Sequence, residues 1–273
     1  MRTATRDFEL VRARTLEGAL KTLREVPGTV PLAGCTDVYV ALQFGQRPGT
    51  RYLDLTPLAA LRRITKRGDV LVIGALATYT DLQRSRLVRA RLPMLVEAAR
   101  LVGGAQIQNR GTVGGNLANG SPAGDTLPVL AAADATVVLH GSEGERRVPF
   151  NLFYTGYRAS VRRQDELITA VEVAPVTGRQ WFRKVGTRAA QAISKVVFAG
   201  VRGPETRLAL GSVGPTVVRL KQTERALASG MQITAALEVL EGEITPIDDL
   251  RSTADYRRKV AANLVRQFWN ETS

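Results

Sequence analysis

The 273-residue chain has one cysteine, Cys35, and one histidine, His140. A single thiol closes no disulfide within the chain, and Cys35 with His140 falls short of the ligand set of a zinc site or an iron–sulfur cluster. The low thiol content fits a reducing, cytoplasmic setting. No stretch approaches the roughly 20 apolar residues that a membrane span needs. The opening MRTATRDFELVRART lacks the apolar core of a signal peptide, so an untargeted protein is expected. Aromatic residues make up 5% of the chain and do not interleave with its basic clusters, which removes the stacking platform of a single-strand binder. Neither the dinucleotide fingerprint G-x-G-x-x-G nor the phosphate loop G-x-x-x-x-G-K-[ST] occurs. A nicotinamide Rossmann domain and a P-loop NTPase are therefore disfavoured.

Basic charge and hydrophobic residues are both plentiful. The formal net charge is +13 from 38 basic and 25 acidic residues, and the sequence pI is near 10.6. Such a balance invites a nucleic-acid reading. Yet the arginines are scattered, gathering only in short clusters such as Arg62-Arg63, Arg146-Arg147, Arg162-Arg163 and Arg257-Arg258-Lys259. Docking to acidic partner surfaces and an ordinary solvated surface are the other readings of this charge. Hydrophobic residues at 44% suffice for a core without disulfide or metal staples.

Helical and strand-like runs alternate along the chain. Thr15 caps a helix carrying Leu16, Leu20, Leu23 and Val26 on one face, ended by Pro27-Gly28. Strands are expected at Val30 to Ala33 and Arg51 to Leu55, with a helix from Asp37 to Phe44 between them, which makes a first βαβ unit. A short helix to Ile64, a strand at Val70 to Ile73 and a helix from Leu92 to Val102 come next. Segment 103–124 then carries seven glycines, three asparagines and a proline with almost no hydrophobic period. Beyond it follow a helix at Thr126 to Ala133, strands at Thr136 to His140 and Leu167 to Val173, and a linker at Pro175 to Gly178. The remainder reads as strands at Arg207 to Val213 and Thr216 to Leu220, then helices near Thr223 to Ala228 and Ile233 to Leu240. A final helix from Asp255 places Tyr256, Val260, Leu264 and Phe268 on one face. The class is α+β with mixed sheets.

Two glycine loops can hold a phosphate, because small residues let backbone N–H groups approach oxygen closely beside a helix start. One is Leu32-Ala33-Gly34-Cys35-Thr36-Asp37 and the other Gly111-Thr112-Val113-Gly114-Gly115-Asn116. Each taken singly also reads as an ordinary tight turn.

The segments PLAGCTDVYVAL, NRGTVGGNLANGSPAGDTLPVL and FRKVGTRAAQAISKV, in this order and at these separations, resemble the FAD-binding medium subunit of the molybdenum hydroxylases, the xanthine dehydrogenase and carbon monoxide dehydrogenase type. The likeness covers essentially the whole chain. It implies a two-subdomain FAD-binding fold of the PCMH/vanillyl-alcohol-oxidase type, residues 1–56 and 57–175, followed by a smaller α+β domain, 176–273.

Carried over residue by residue, the likeness implies that Leu32, Ala33, Gly34, Cys35, Thr36 and Asp37 form one pyrophosphate loop. Thr112, Val113, Gly114, Gly115 and Asn116 form the other, so a branched residue at Gly34 or Gly115 is expected to block amide approach. Asp37 is also a natural helix-start residue. Asp125 corresponds to an acceptor for the ribityl hydroxyls, with helix capping as its simpler role. Lys184 corresponds to a cation that contacts FAD, Val102 to an aromatic near the flavin, and Leu167 or Ile168 to the adenine wall. Cys35 replaces the Gly, Asn or His common at its position, and Arg188 stands where the carbon monoxide dehydrogenase subunit carries a tyrosine against the flavin.

The likeness further implies partners: a small subunit with two [2Fe-2S] clusters and a large subunit with the molybdenum cofactor, assembled as a dimer of heterotrimers. Electrons would then leave FAD for an external acceptor, with xanthine or another N-heterocycle as the favoured substrate. A stand-alone FAD oxidoreductase of the same flavin fold and a basic nucleic-acid-binding module are the competing readings.

Overall fold

A small parallel sheet opens the molecule. β1 (Glu9–Arg12), α1 (Leu16–Glu25), β2 (Val30–Leu32), α2 (Thr36–Gln43) and β3 (Arg51–Asp54) follow in chain order, with the strands side by side as β1-β3-β2 and both pairs parallel. The computed structural model describes residues 8–46 and 48–273; the first seven residues of the expected 1–56 unit, and Arg47, lie outside the described residues. Thr15 caps α1, its Oγ1 accepting from the Gly18 amide at 3.0 Å, a contact worth about 1 kcal/mol. β1 is the strand that patterning overlooks. Its four residues, ELVR, are exposed except for a half-buried Val11, so no alternation marks it.

The second unit departs from expectation at its start. A 3-10 turn, Ala59–Arg62, stands in place of a helix to Ile64, and Ile64 begins β4 (Ile64–Arg67), which forms a hairpin with β5 (Val70–Gly74). Six helices follow: α3 (Tyr79–Arg84), α4 (Arg86–Arg91), α5 (Pro93–Leu101), α6 (Ala105–Gln108), α7 (Val113–Asn119) and α8 (Leu127–Ala132). Segment 103–124 thus holds two helices, each too short to show a hydrophobic period. Strands β6 (Thr136–Gly141), β7 (Gly144–Pro149), β8 (Tyr154–Gly156), β9 (Ala159–Ser160) and β10 (Leu167–Val173) complete the unit. An antiparallel sheet of order β4-β5-β10-β6-β7 results, with β8-β9 as a separate hairpin.

The third unit is an antiparallel sheet backed by helices. It comprises β11 (Arg179–Val185), β12 (Val196–Arg202), β13 (Arg207–Gly211), β14 (Val218–Arg219), α9 (Lys221–Ala228), α10 (Ile233–Glu243) and α11 (Ala254–Glu271). β12 reads VVFAGVR and is buried on both faces. Val197, Ala199 and Val201 join the core of the second unit, while Val196 and Phe198 pack with Leu240, Leu264 and Phe268 from the helices. The sheet therefore glues the two units together. On α11 the buried face is Arg257, Ala261, Leu264, Val265 and Phe268. Tyr256, expected to lie inward, is 41% exposed. A strict four-residue spacing advances by about 40° per step beyond a full helical turn, so the stripe rotates out of the core before it reaches Tyr256.

Candidate functional site

The cleft lies where the first sheet meets α7. Pro31, Leu32, Ala33, Gly34, Cys35, Thr36 and Asp37 line a cavity of about 400 Å³ together with Thr112, Gly114, Gly115, Asn116, Leu167 and Ile168. A second cavity of about 1130 Å³ takes in Val102, Ser121, Asp125, Ser194 and Arg257. Thr36, Asp37, Tyr79, Asn116, Asn119 and Arg158 line both. The two make one elongated cleft, of the size range of small-molecule and cofactor sites.

The first glycine loop presents open donors. β2 ends at Leu32, the chain turns through Gly34, and α2 begins at Thr36 with Cys35 as its cap residue at φ +63°, with no side-chain cap. Among the described residues, no carbonyl or side chain accepts from the amides of Gly34, Cys35, Thr36, Asp37 or Val38; the first amide of this stretch with a partner is that of Tyr39, at 2.9 Å from the Cys35 carbonyl. Five successive N–H groups at a helix start, with its partial positive charge, suit a diphosphate. The left-handed conformation of Cys35 is one that Gly, Asn and His adopt far more readily than Cys, which accounts for the residues implied there by resemblance. Burial raises the pKa of the Cys35 thiol, with Arg110 opposing.

The second loop is built differently. The Val113 amide donates to the Ala77 carbonyl at 3.0 Å, the Gly114 amide to the Ala75 carbonyl at 2.7 Å, and the Gly115 amide to Thr112 Oγ1 at 3.1 Å. All three donors that open α7 are spent within the chain. Val113 is 2% exposed and faces the core, whereas Thr112, Gly114, Gly115 and Asn116 reach the cleft as atoms of its wall. Asn116 Oδ1 accepts from Thr126 Oγ1 at 2.5 Å, which leaves its amide nitrogen to face the cleft. This loop also shapes the first one. A Cβ on Gly34 would sit 1.9 Å from the Arg110 carbonyl oxygen, so the two backbones touch there, and Asn119 Nδ2 donates to Asp37 Oδ1 at 3.1 Å.

Asp37 stands in the first turn of α2 without capping it. Burial raises its pKa, and the Arg158 charge pulls it back. Asp125 likewise is no helix cap: α8 is capped by Thr126 without a side-chain bond. Its carboxylate accepts from Lys184 Nζ at 2.6 Å and from Ser194 Oγ. Burial pushes the carboxyl up, against the pull of Lys184 and Ser194. Lys184 also donates to the Leu101 carbonyl at 2.9 Å and lines neither cavity, so it acts on the cleft through Asp125. Arg188 folds onto the carbonyls of Ala190 and Gln191 and likewise lines neither cavity.

Several cleft residues escaped sequence reasoning. Tyr79 is 5% exposed, and a Cβ on Gly111 would lie 2.7 Å from its ring; burial, Asp37 and Asp125 raise the pKa of its phenol. The legible signal was Thr78, whose capping box with Asp81 starts α3 at Tyr79. Arg158, Arg162 and Glu166 come from the β8-β9 hairpin and the connection that follows it. Arg146 fixes Glu166 through two bonds of 2.6 and 2.8 Å. Among the described residues five non-glycines have positive φ, Cys35, Asp134, Arg158, Gln191 and Ser212, and all but Asp134 line the cleft. Backbone strain of this kind concentrates at functional sites.

The family described as FAD binding domain in molybdopterin dehydrogenase matches residues 6–176, and the CO dehydrogenase flavoprotein C-terminal domain matches residues 181–272. The chain belongs to the FAD-binding medium subunits of the molybdenum hydroxylases. The carbon monoxide dehydrogenase medium chain of Hydrogenophaga pseudoflava is 34% identical over 230 residues, 80% of each chain. A solved structure of that dehydrogenase superposes with a TM-score of 0.90 at 30% identity, covering 97% of this chain and 96% of that one. The glyceraldehyde dehydrogenase medium chain of Sulfolobus acidocaldarius is 30% identical over 98% of this chain and 99% of its own. The xanthine dehydrogenase FAD-binding subunit of Escherichia coli O157:H7 is 30% identical over 95% and 94%. The FAD-binding domain lies in this chain. Among the described residues no group of three His, Cys, Asp or Glu could hold a metal ion, and no helix is long and apolar enough to cross a membrane.

Proposed function

We propose that this chain receives electrons from a [2Fe-2S] subunit, holds them on FAD and passes them to an external acceptor. The observation that carries the reading is the row of open amides from Gly34 to Val38 at one end of a cleft whose other end is walled by Asp125. Bound FAD supplies the redox chemistry. The chain supplies the rest: the α2 start holds the diphosphate, Ile168 and Leu167 wall the adenine, and Asp125, fixed by Lys184 and Ser194, accepts from the ribityl hydroxyls. Thr112, Gly114, Gly115 and Asn116 shape the opposite wall and exclude water from the diphosphate.

The molybdenum subunit selects the substrate. We assign it an N-heterocycle of the xanthine type, on the likeness of FRKVGTRAAQAISKV, although the relatives named above act on a gas, an aldehyde and a purine at similar identity. The assembly is a cytoplasmic dimer of heterotrimers, and exposed arginines dock its acidic surfaces, so assembly weakens as salt rises. The visible spectrum tests this reading. The chain alone should show flavin bands, and the complex purified with its partners should add iron–sulfur absorbance that bleaches together with the flavin on adding an N-heterocycle. A complex that assembles without iron–sulfur absorbance would refute the electron path.

A further inference from the structure

One cation in the cleft forms no ion pair. Arg158 sits at the tip of the β8-β9 hairpin in a left-handed conformation, φ +53°, and lines both cavities. Among the described residues no carboxylate forms an ion pair with it, and its guanidinium lies 5.7 Å from the ring of its neighbour Tyr157. Most of the other basic clusters have such partners: Arg147 pairs with Glu172 and Glu145, Arg146 with Glu166 and Arg163 with Glu143. Arg162, which also lines the smaller cavity, is committed to the carbonyls of Arg163 and Glu166. The hairpin is seated firmly. Tyr154 donates to the Leu117 carbonyl at 2.9 Å, and a Cβ on Gly120 would lie 3.0 Å from the Tyr154 ring and 3.5 Å from the Arg158 Cα.

A strained backbone persists where its surroundings over-determine it, and such positions cluster at ligand clamps. Across the cleft the open amides supply donors but no full charge, and Asp37 places a carboxylate beside them. A diphosphate carries about two negative charges, so it needs a cation from the facing side, one that a guanidinium with its planar fork supplies well. We propose that Arg158 is the counter-charge of the bound dinucleotide's diphosphate, closing on it from the hairpin opposite the α2 amides and offsetting Asp37. This rests on FAD binding as argued above and adds the residue that sets its strength.

The test compares FAD affinity of the full chain and its R158K, R158Q and R158G variants by flavin fluorescence, at low and high salt, with melting temperatures of the flavin-free proteins. R158Q should weaken FAD by about tenfold to a hundredfold at low salt and flatten the salt dependence, since an exposed charge contact is screened; R158K should recover most of the affinity. R158G relieves the left-handed strain and should melt higher without flavin while losing affinity as R158Q does. That variant separates charge from folding. R158Q or R158G binding FAD within twofold of the wild type, with unchanged salt dependence, would overturn the assignment. A wild-type chain that takes up no FAD would instead remove the function proposed above.

Discussion

The two glycine loops look alike in sequence and do opposite things with their backbones. Leu32 to Val38 leaves five consecutive amides, from Gly34 onward, without partners in the chain, whereas Thr112 to Asn116 spends the first three amides of α7 on Ala77, Ala75 and Thr112. Glycine in the first loop allows the backbone to turn within touching distance of Arg110. In the second it lets α7 pack against β5 and its continuation: a Cβ on Gly114 would lie 2.7 Å from the Ala75 Cβ. One loop is the candidate binder and the other is the mould that shapes it. A glycine-rich motif beside a helix start therefore does not establish a phosphate contact until its donors are counted.

That contrast can be broken by substitution. The largest effect belongs to Gly34→Ala, whose Cβ overlaps the Arg110 carbonyl; the backbones must part, which should cost about 3 kcal/mol or more in urea unfolding and remove flavin from the purified protein. Nearly as large is Asp125→Ala, which leaves Lys184, 7% exposed at its side chain, buried without a partner. Stability should drop by about 3 to 5 kcal/mol, and Lys184→Met in the same chain should restore part of it, a recovery that a double-mutant cycle measures. Gly115→Ala is the control in the second loop. Its Cβ meets only Thr112 Oγ1, at 2.9 Å, and its amide is already bonded, so FAD content should stay at wild-type level with a stability change within about 1 kcal/mol. Loss of flavin in that variant would contradict the mould assignment.

The pH dependence sharpens the electrostatic side. Burial already raises the pKa of Asp37, with Arg158 opposing and the Tyr79 phenol close by. A diphosphate nearby raises it further, so FAD binding takes up a proton and affinity falls as pH rises through the bound-state value of that carboxyl. In Asp37→Asn the slope should vanish and affinity at neutral pH should rise, as read by flavin titration across pH. The smallest effect is that of Cys35→Gly, which relieves a left-handed non-glycine and should add about 1 kcal/mol of stability without loss of flavin.

Much of this was legible in the chain itself. The hydrophobic period located α1, α5 and β10, and the motif segments led to a family that the matches over residues 6–176 and 181–272 bear out. β1 stayed hidden because ELVR is an exposed edge strand with no alternation. Tyr79 is marked only by the Thr78 capping box that starts its helix, and Arg158 and Arg162 carry no local mark of a site; all three reach the cleft through the packing of α3, the β8-β9 hairpin and the connection after it, distant in sequence from the first glycine loop. Lys184 was legible as a residue of interest, but its direction was not. Only the fold turns it toward Asp125 and Leu101 and away from the cavity.

The most direct measurement is the flavin content of the purified full-length chain, wild type against Gly34→Ala and Gly115→Ala. About one FAD per chain is expected in the wild type and in Gly115→Ala, and none in Gly34→Ala. A colourless wild-type protein that takes up no added FAD, or equal flavin in both glycine variants, would contradict that expectation.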